Sequence, residues 1–303
     1  MEPSLARSKA IVISQRKRFS IQRFCKFYGL SKQARYKRKT SYQKKMNIVI
    51  MVLFRVRQLR QRYRYEGARK LQLMLSNPDY GLPVRIGRDR LFDLLKQYDL
   101  QSELRIRFKR TSFHNHHDFL YPNLLKDAQI TELHQAWVCD ITYLRLAGGK
   151  FCYLFLVTEL ISRKIIGYDL RTSLSAEGAI QALHMALNFA KPKAGFIHHS
   201  DHGVQYCCKE YRNLLTKHGA RISMTGENYC YDNAVAERLN GTLKREYGLG
   251  AVISNFAAAK TLTYNGIKIY NSERLHQSLK YKTPDYVYSQ LNASDYVEAS
   301  IVL

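Results

Sequence analysis

Three apolar segments separated only by short turns constrain the fold of this chain more than any other feature of its sequence. The segments cover residues 136–146, 150–159 and 165–170, and each is rich in β-branched and aromatic residues, as is typical of strands. The Gly148-Gly149 pair follows the first segment and residues 162–164 follow the second. Turns this short join antiparallel neighbours, so we expect a three-stranded antiparallel unit.

The residues that follow alternate between helical and strand-like patterns. Ser175 opens an amphipathic helix whose apolar positions point to a sheet beneath it. Further along, the patterns predict a strand at 195–200, a helix at 206–218, a short strand at 221–224 and a helix at 233–247. This order of elements is that of an RNase H-like domain. We therefore expect an α/β core, with a mixed five-stranded sheet and flanking helices.

Three carboxylates stand at informative positions in this predicted order. Asp140 lies in the first strand, Asp201 just after the fourth strand, and Glu237 on the final helix. Sixty residues separate the two aspartates, and 35 separate Asp201 from Glu237. Asp140 and Asp201 would meet if the first and fourth strands were neighbours, and a helix packed across the sheet could bring Glu237 to them.

Carboxylates held together in one pocket repel each other and need a compensating cation. Hard oxygen ligands with open positions favour Mg²⁺ or Mn²⁺. Two such ions, about 3.5–4 Å apart, would bind the attacking and leaving oxygens of an in-line phosphoryl transfer. Taken singly, each acid could be an ordinary solvated or helix-capping residue. The combination favours a metal-binding catalytic site formed by Asp140, Asp201 and Glu237.

The net charge of +25 is concentrated in the N-terminal part of the chain. Residues 1–120 contain 29 Lys and Arg against 8 Asp and Glu, whereas residues 121–303 contain 20 against 16. This imbalance indicates a module that binds nucleic acid, joined to a nearly neutral domain. The alternative is a charged solubilising surface, but such surfaces usually mix both signs.

Two helices separated by Gly29 are predicted within this basic part. Ser20 is a suitable N-cap for the first helix, and Ser31 for the second. A helix, a glycine turn and a short polar helix are typical of a helix-turn-helix, which presents side chains to the major groove of DNA. The side chains that the second helix would present to DNA are Lys32, Gln33 and Arg35.

Several other classes of protein are disfavoured. The longest apolar runs have 7 residues, far fewer than the roughly 20 that span a bilayer, so we expect no membrane segment and a soluble, cytoplasmic protein. No G-x-x-x-x-G-K-[ST] motif is present, which argues against nucleotide hydrolysis. The 6 cysteines form no CxxC pair, which disfavours a structural zinc site.

The motifs around the three carboxylates resemble those of insertion-sequence transposases of the IS-three type. These are OrfB proteins, within the retroviral-integrase-like DDE superfamily. The matching motifs are WVCDITY at 137–143, HHSDHGVQY at 198–206, YDNAVAE at 231–237, GTLK at 241–244 and, upstream, GARKL at 67–71. The spacing of the acids, with a lysine seven residues after Glu237, is highly specific to this family.

The resemblance implies a DNA transposase that cleaves DNA at the ends of its element and joins the cut strand to target DNA. Asp140, Asp201 and Glu237 would be the catalytic, metal-binding triad. Lys244 and Asn240 would contact DNA near the active site, and Arg69 and Lys70 would belong to a DNA-binding region. The implied partners are double-stranded DNA (terminal inverted repeats and target), further copies of the chain on that DNA, and an upstream OrfA protein or fusion.

The sequence therefore predicts an all-α helix-turn-helix DNA-binding region followed by the RNase H-like integrase catalytic core. The predicted divisions are a basic helix-turn-helix segment at 1–45, a second helical DNA-binding domain at 46–110, a linker at 111–130, the catalytic core at 131–250 and a helical tail at 251–303. Two other functions stay open on the sequence. One is a DNA-binding regulator with a vestigial core, and the other is an RNase H-like nuclease that cleaves strands without joining them.

Overall fold

The chain divides into an N-terminal unit, Met1–Ser102, and a C-terminal unit, Glu103–Leu303, in a computed structural model. The structure describes residues 20–77, 82, 85–102, 121–126, 128–226 and 233–292. Within these residues, no helix is long and apolar enough to cross a membrane.

The described part of the N-terminal unit is built from helices. They are α1 (Ile21–Phe27), α2 (Lys32–Arg62), α3 (Ala68–Leu75) and α4 (Arg88–Gln97). Both predicted N-caps are confirmed, since the Ser20 hydroxyl accepts a hydrogen bond from Arg23 N at 3.2 Å and the Ser31 hydroxyl accepts one from Ala34 N at 3.0 Å. Gly29 turns the chain between α1 and α2 with a φ of +61°, a conformation that suits glycine.

Helix α2 is much longer than the predicted short polar helix. It continues through the predicted boundary between residues 45 and 46, so that boundary is wrong. The physical reason is that Lys32–Arg62 contains neither glycine nor proline, and a helix without a breaker continues. Its buried side chains, Val52, Leu53, Val56 and Leu59, lie in its second half.

A single arginine ties the end of α2 to the segments around it. The Arg60 guanidinium donates to the carbonyl oxygens of Arg64 and Glu66 at 2.9 and 2.6 Å, and to that of Leu100 at 3.2 Å. These carbonyls follow helices α2 and α4, where backbone oxygens lack partners within a helix. Arg60 thus joins the two helix ends within the N-terminal unit.

The C-terminal unit contains the predicted mixed sheet. Its strands are β1 (Ala136–Arg145), β2 (Phe151–Glu159), β3 (Ile165–Arg171), β4 (Ile197–Ser200) and β5 (Arg221–Met224), in the order β3-β2-β1-β4-β5. The first three strands pair antiparallel, whereas β4 lies parallel to both β1 and β5. The expectation of a mixed five-stranded sheet with neighbouring first and fourth strands is confirmed.

Helices cover both faces of this sheet. They are α5 (Ala176–Ala190), α6 (Val204–Cys207), α7 (Lys209–Lys217), α8 (Ala234–Glu246), α9 (Phe256–Ser272) and α10 (Pro284–Asn292). Alternate residues of the strands face opposite cores, as a period of two requires. Phe155 and Val157 pack in the core with α5, whereas Leu154 and Leu156 pack with Leu239 of α8.

One predicted helix, 206–218, is two helices in the structure. The chain leaves helical geometry at Cys208, which has a ψ of 150° and separates α6 from α7. Local hydrophobic periodicity does not report such a break, because the apolar residues on both sides face the same core: Tyr206, Tyr211 and Leu215 are all buried there.

Part of the predicted linker at 111–130 belongs to the core. Leu125 and Ile130 are buried in a cluster with Val138 of β1, and Leu124 N donates to the Ser223 hydroxyl of β5 at 2.8 Å. The linker prediction is wrong for these residues because their apolar side chains gain more by burial than by exposure. Residues 103–120 and 127 lie outside the described part of the chain.

The predicted helical tail packs against α8 within the C-terminal unit. Ala259, Ile267 and Tyr270 of α9 are buried in the core that contains Leu239 and Leu243 of α8. The tail therefore supports the helix that carries Glu237.

Candidate active site

The strand register brings Asp140 and Asp201 to the same level of the sheet. Ala136, Trp137 and Val138 of β1 pair with Ile197, His198 and His199 of β4 in parallel register. Continuing that offset along both chains aligns Asp140 with Asp201, which follows β4 directly. The condition under which we expected the two aspartates to meet, adjacent first and fourth strands, is therefore fulfilled.

Two hydrogen bonds orient the Asp140 carboxylate. Its Oδ1 accepts from the backbone N of Ile141 at 2.9 Å, and its Oδ2 accepts from the side-chain amide of Asn240 at 2.7 Å. The side chain is half-buried. Asp201 is also half-buried, and its Oδ1 accepts from Gly203 N at 3.0 Å across the turn after β4.

The carboxylate of Asp140 is electrostatically unfavourable in its site. Burial raises the pKa of Asp140 most, and the negative charge of Asp201 raises it further; the hydrogen bonds from Ile141 and Asn240 oppose these effects. Glu237 adds the smallest contribution, and the resulting pKa of Asp140 is about 7. The site therefore favours a proton or a cation beside this carboxylate.

Glu237 lies in the first turn of α8, with its side chain exposed. A carboxylate at this position is favoured by the helix dipole. The order of the contributions to the pKa of Asp140 indicates that Asp201 is the stronger electrostatic neighbour of Asp140.

Asp140 and Asp201 are the residues that could hold a divalent cation here. Within the described residues, no group of three His, Cys, Asp or Glu side chains is arranged to hold a metal ion. Asp140 and Asp201 nevertheless offer hard oxygen ligands, and a cation between them would relieve the repulsion that raises the pKa of Asp140. The aspartate pair therefore fits Mg²⁺ or Mn²⁺, and Glu237 stands on the neighbouring helix.

Lys244 lies near the same carboxylate, seven residues after Glu237 on α8. Its side chain is half-buried, and burial lowers the pKa of Lys244. The charge of Asp140 raises this pKa, and that of Arg145 lowers it. Lys244 is thus a cation beside the aspartates, at a position suited to a phosphate.

Asn240 has a different environment from the one we predicted. We expected it to contact DNA, but it is 7% exposed and its amide is bonded to Asp140. Asn233, which the sequence did not single out, precedes α8 and donates from its amide to the carbonyl oxygen of Cys139 at 3.0 Å. The signal that could have revealed it is the spacing of seven residues between the two asparagines, which places both on one side of the helix.

The candidate DNA-contacting residues of the N-terminal unit differ in exposure and in the contacts that they make within the fold. Lys32 and Gln33 are exposed in the first turn of α2, and Arg35, two residues after Gln33, is half-buried. Arg69 is exposed on α3 and donates to Gln72 Oε1 at 2.9 Å. Lys70 forms an ion pair of 2.6 Å with the buried carboxylate of Glu66, so its charge already has a partner in the fold.

The first two histidines of the HHSDHG motif are buried and bonded within the fold. His198 is fully buried, and its Nε2 contacts Tyr211 Oη at 2.8 Å and Cys139 Sγ at 3.0 Å. Burial lowers the pKa of His198 to about 3, so it is neutral at physiological pH. His199 is equally buried, and its Nδ1 is bonded to Ser223 Oγ at 2.8 Å.

Comparison with known proteins shows which family this chain resembles. Two family models described as "Integrase core domain" match residues 131–230 and 218–284. The chain is 33% identical over 260 residues to an insertion element IS600 uncharacterized 31 kDa protein of Shigella sonnei, covering 84% of this chain and 93% of that protein. It is 31% identical over 267 residues to transposase InsF for insertion sequence IS3A of Escherichia coli, covering 85% of this chain and 90% of that protein.

A shorter match and a match to a solved structure were found as well. The putative transposase InsK for insertion sequence element IS150 of Escherichia coli is 35% identical over 164 residues, which are 54% of this chain and 58% of that protein. Among solved structures, the HTLV-2 integrase catalytic core domain in complex with magnesium (trimeric form) matches with a TM-score of 0.41 at 13% identity, covering 52% of this chain and 97% of that chain. The sheet order, the integrase-core models and the extent of the match to InsF lead to one assignment. The chain belongs to the family of IS3-type insertion-sequence transposases, which carry a DDE integrase-like core.

Proposed function

We propose that this chain cuts one DNA strand at each end of its insertion sequence and transfers the resulting 3′-OH to target DNA. The observation that carries this proposal is the pairing of Asp140 with Asp201 at the end of β4, with Lys244 beside them. Two carboxylates that repel each other next to a cationic side chain suit a metal-dependent reaction on a phosphodiester.

The two reactions have the same form. In the first, water attacks the phosphorus at the element end, the bond from phosphorus to the 3′ oxygen breaks, and a free 3′-OH and a 5′-phosphate result. In the second, that 3′-OH attacks a phosphodiester of the target, and the target strand leaves as a new 3′-OH. One phosphodiester bond replaces another in the second reaction, so no nucleotide hydrolysis is needed.

Each residue has a proposed part in this chemistry. Asp140, Asp201 and Glu237 would hold Mg²⁺ or Mn²⁺, as two ions. Ions bound there would lower the pKa of the attacking water and neutralise charge at the phosphate. The Lys244 ammonium would contact a DNA phosphate beside the scissile bond, since its neighbourhood already contains the Asp140 carboxylate.

The N-terminal unit would bind the terminal inverted repeats. Helix α2 contains 11 Lys and Arg and no acidic residue, which favours contact with a polyanion. Lys32, Gln33, Arg35 and Arg69 are the proposed contacts, and Lys70 would contribute only if it exchanged Glu66 for a phosphate. We now propose that Asn240 binds Asp140 rather than DNA.

Synapsis of two ends would require further copies of the chain, and an OrfA-type partner would add a second DNA-binding segment.

The test uses the purified full chain and duplex DNA carrying the inverted repeats that flank its own gene. Strand cleavage and joining are followed with Mg²⁺, with Mn²⁺ and with EDTA. We expect joined products that require the metal and that disappear in Asp201→Asn and Glu237→Gln. The matched control is Glu210→Gln, which removes an exposed carboxylate of α7 and should leave both reactions unchanged.

Each outcome discriminates between functions. Cleavage without any joined product would favour a nuclease, whereas repeat binding without cleavage, even with the OrfA partner added, would favour a DNA-binding regulator. Cleavage that persists in Glu237→Gln would remove Glu237 from the site. For Lys244→Ala we expect weaker binding of end DNA and a salt dependence reduced by about one phosphate contact, compared with the exposed α9 control Lys260→Ala.

A further inference from the structure

We propose that Asn233 and Asn240 together hold helix α8 in register with strand β1, and that they thereby position the Asp140 carboxylate and Glu237 for catalysis. The inference rests on the proposed metal-dependent function of the site. It concerns two residues that touch the catalytic carboxylate or its strand, and both act as positioning residues.

The first observation is where the two amides bind. Asn233 donates to the carbonyl oxygen of Cys139 at 3.0 Å, and Asn240 donates to Oδ2 of the next residue, Asp140, at 2.7 Å. The two asparagines are seven residues apart, about two helical turns, and Glu237 lies between them. A pair of hydrogen bonds two turns apart restricts both the rotation and the sliding of α8 along β1.

The apolar contacts of α8 do not supply this restriction. Leu239 and Leu243 pack in the core beneath the sheet, and apolar contacts of this kind are not directional. Hydrogen bonds are directional and weaken steeply when their angle changes. The two amides therefore add a directional restraint on the position and rotation of α8 that the leucine contacts do not provide.

The second observation is the burial of both side chains. Asn233 is 5% and Asn240 is 7% exposed, and in the described part of the chain the side-chain carbonyl oxygen of each is buried without a hydrogen-bond partner. A buried oxygen without a partner destabilises the fold. Each amide therefore carries a cost that partly cancels the hydrogen bond it donates, and its placement at the catalytic carboxylate or its strand points to a role there.

The third observation is what the bond does to Asp140. Ile141 N holds one carboxylate oxygen and Asn240 holds the other, so the carboxylate plane is fixed from both sides. Each oxygen retains a further lone pair for another ligand. Residues that orient a metal ligand in this way typically change metal affinity or activity about 10- to 100-fold when they are lost.

The decisive variants replace the amides by an apolar side chain of similar volume. Asn240→Leu and Asn233→Leu remove the donors and the buried oxygens without opening a large cavity, and Asn240→Ala is a second variant in case leucine does not fit. Asn188→Ala, at an exposed position of α5, is the matched control. All four are made in the full chain.

Three quantities are measured for each variant. They are the urea midpoint followed by the fluorescence of Trp137, Mn²⁺ affinity by electron paramagnetic resonance, and the single-turnover cleavage rate at saturating end DNA. Trp137 is fully buried and is the only tryptophan, so its emission reports the catalytic unit. For Asn240→Leu we expect a urea midpoint close to that of the wild type, because removal of the unpartnered oxygen offsets the lost hydrogen bond, together with Mn²⁺ affinity and cleavage about 10- to 100-fold lower. End-DNA affinity should change less than about twofold, since Asn240 is buried.

If Asn233 and Asn240 only stabilised the fold, metal affinity and cleavage would change no more than stability does. If Mn²⁺ affinity and cleavage stay at the wild-type level, or fall only in proportion to a lower urea midpoint, the inference is wrong. If the wild type does not cleave DNA at all, the proposed function fails. The Mn²⁺ affinities of the wild type and Asn240→Leu still test the inference in that case.

Discussion

Replacing Asp140 by asparagine should stabilise the metal-free protein while abolishing strand cleavage. The pKa of Asp140 rises from 3.8 to about 7 in the folded chain. Each unit of pKa corresponds to about 1.4 kcal/mol, so at pH 8 the ionised carboxylate costs the fold about 4 kcal/mol. Asparagine keeps one of the two acceptors used by Ile141 N and Asn240, and the lost hydrogen bond costs about 1–2 kcal/mol. The net gain at pH 8 is about 2–3 kcal/mol.

The gain must depend on pH, because the folded chain retains a proton on Asp140 that the unfolded chain releases. Between the unfolded pKa of 3.8 and the folded pKa of about 7, raising the pH therefore destabilises the wild type but not the variant. We expect the difference in the free energy of unfolding to be near zero at pH 5 and to reach its full size at pH 8.

The assay is urea unfolding in EDTA, followed by the fluorescence of Trp137 at pH 5, 6, 7 and 8. Glu132→Gln, which changes an exposed carboxylate of the same unit, should give a constant and small difference over this range. Mg²⁺ should then raise the stability of the wild type more than that of Asp140→Asn. A difference between Asp140→Asn and wild type that does not grow from pH 5 to pH 8 would refute the electrostatic reasoning.

Three further predictions concern the fold. Gly167→Ala should destabilise the catalytic unit by about 1–3 kcal/mol in urea unfolding, because the added Cβ would collide with the backbone oxygen of Ala182 on α5. Arg60→Met should lower the melting temperature of the N-terminal unit by circular dichroism and leave Trp137 fluorescence unfolding unchanged, because three backbone oxygens lose their donor. Tyr288→Phe should cost about 1 kcal/mol in the same urea assay, since it removes the 2.9 Å hydrogen bond between α10 and Nε2 of His134; an unchanged midpoint would contradict a contribution of this bond.

Much of the fold could be predicted because its signals are local. Strand and helix periodicities, the glycine turn at Gly29 and the caps at Ser20 and Ser31 depend on residues a few positions apart. The spacing of the carboxylates was informative for the same reason, since each stands at a fixed place in a recognisable element. The predicted boundary at 45/46 rested on a change in composition. A change in composition does not end a helix, and α2 continues through this position.

The sequence by itself therefore determined the order of elements and the family, and it led to the prediction that Asp140, Asp201 and Glu237 form the site. Only the tertiary structure decided how these residues act on one another. The bonds of Asn233 to Cys139 and of Asn240 to Asp140 join residues 94 and 100 positions apart, so they exist only after sheet order and helix rotation are set. The raised pKa of Asp140 is likewise a product of burial and of Asp201, brought near by strand pairing. Hydrogen bonds and charges act through distance in space, which no local pattern in the chain records.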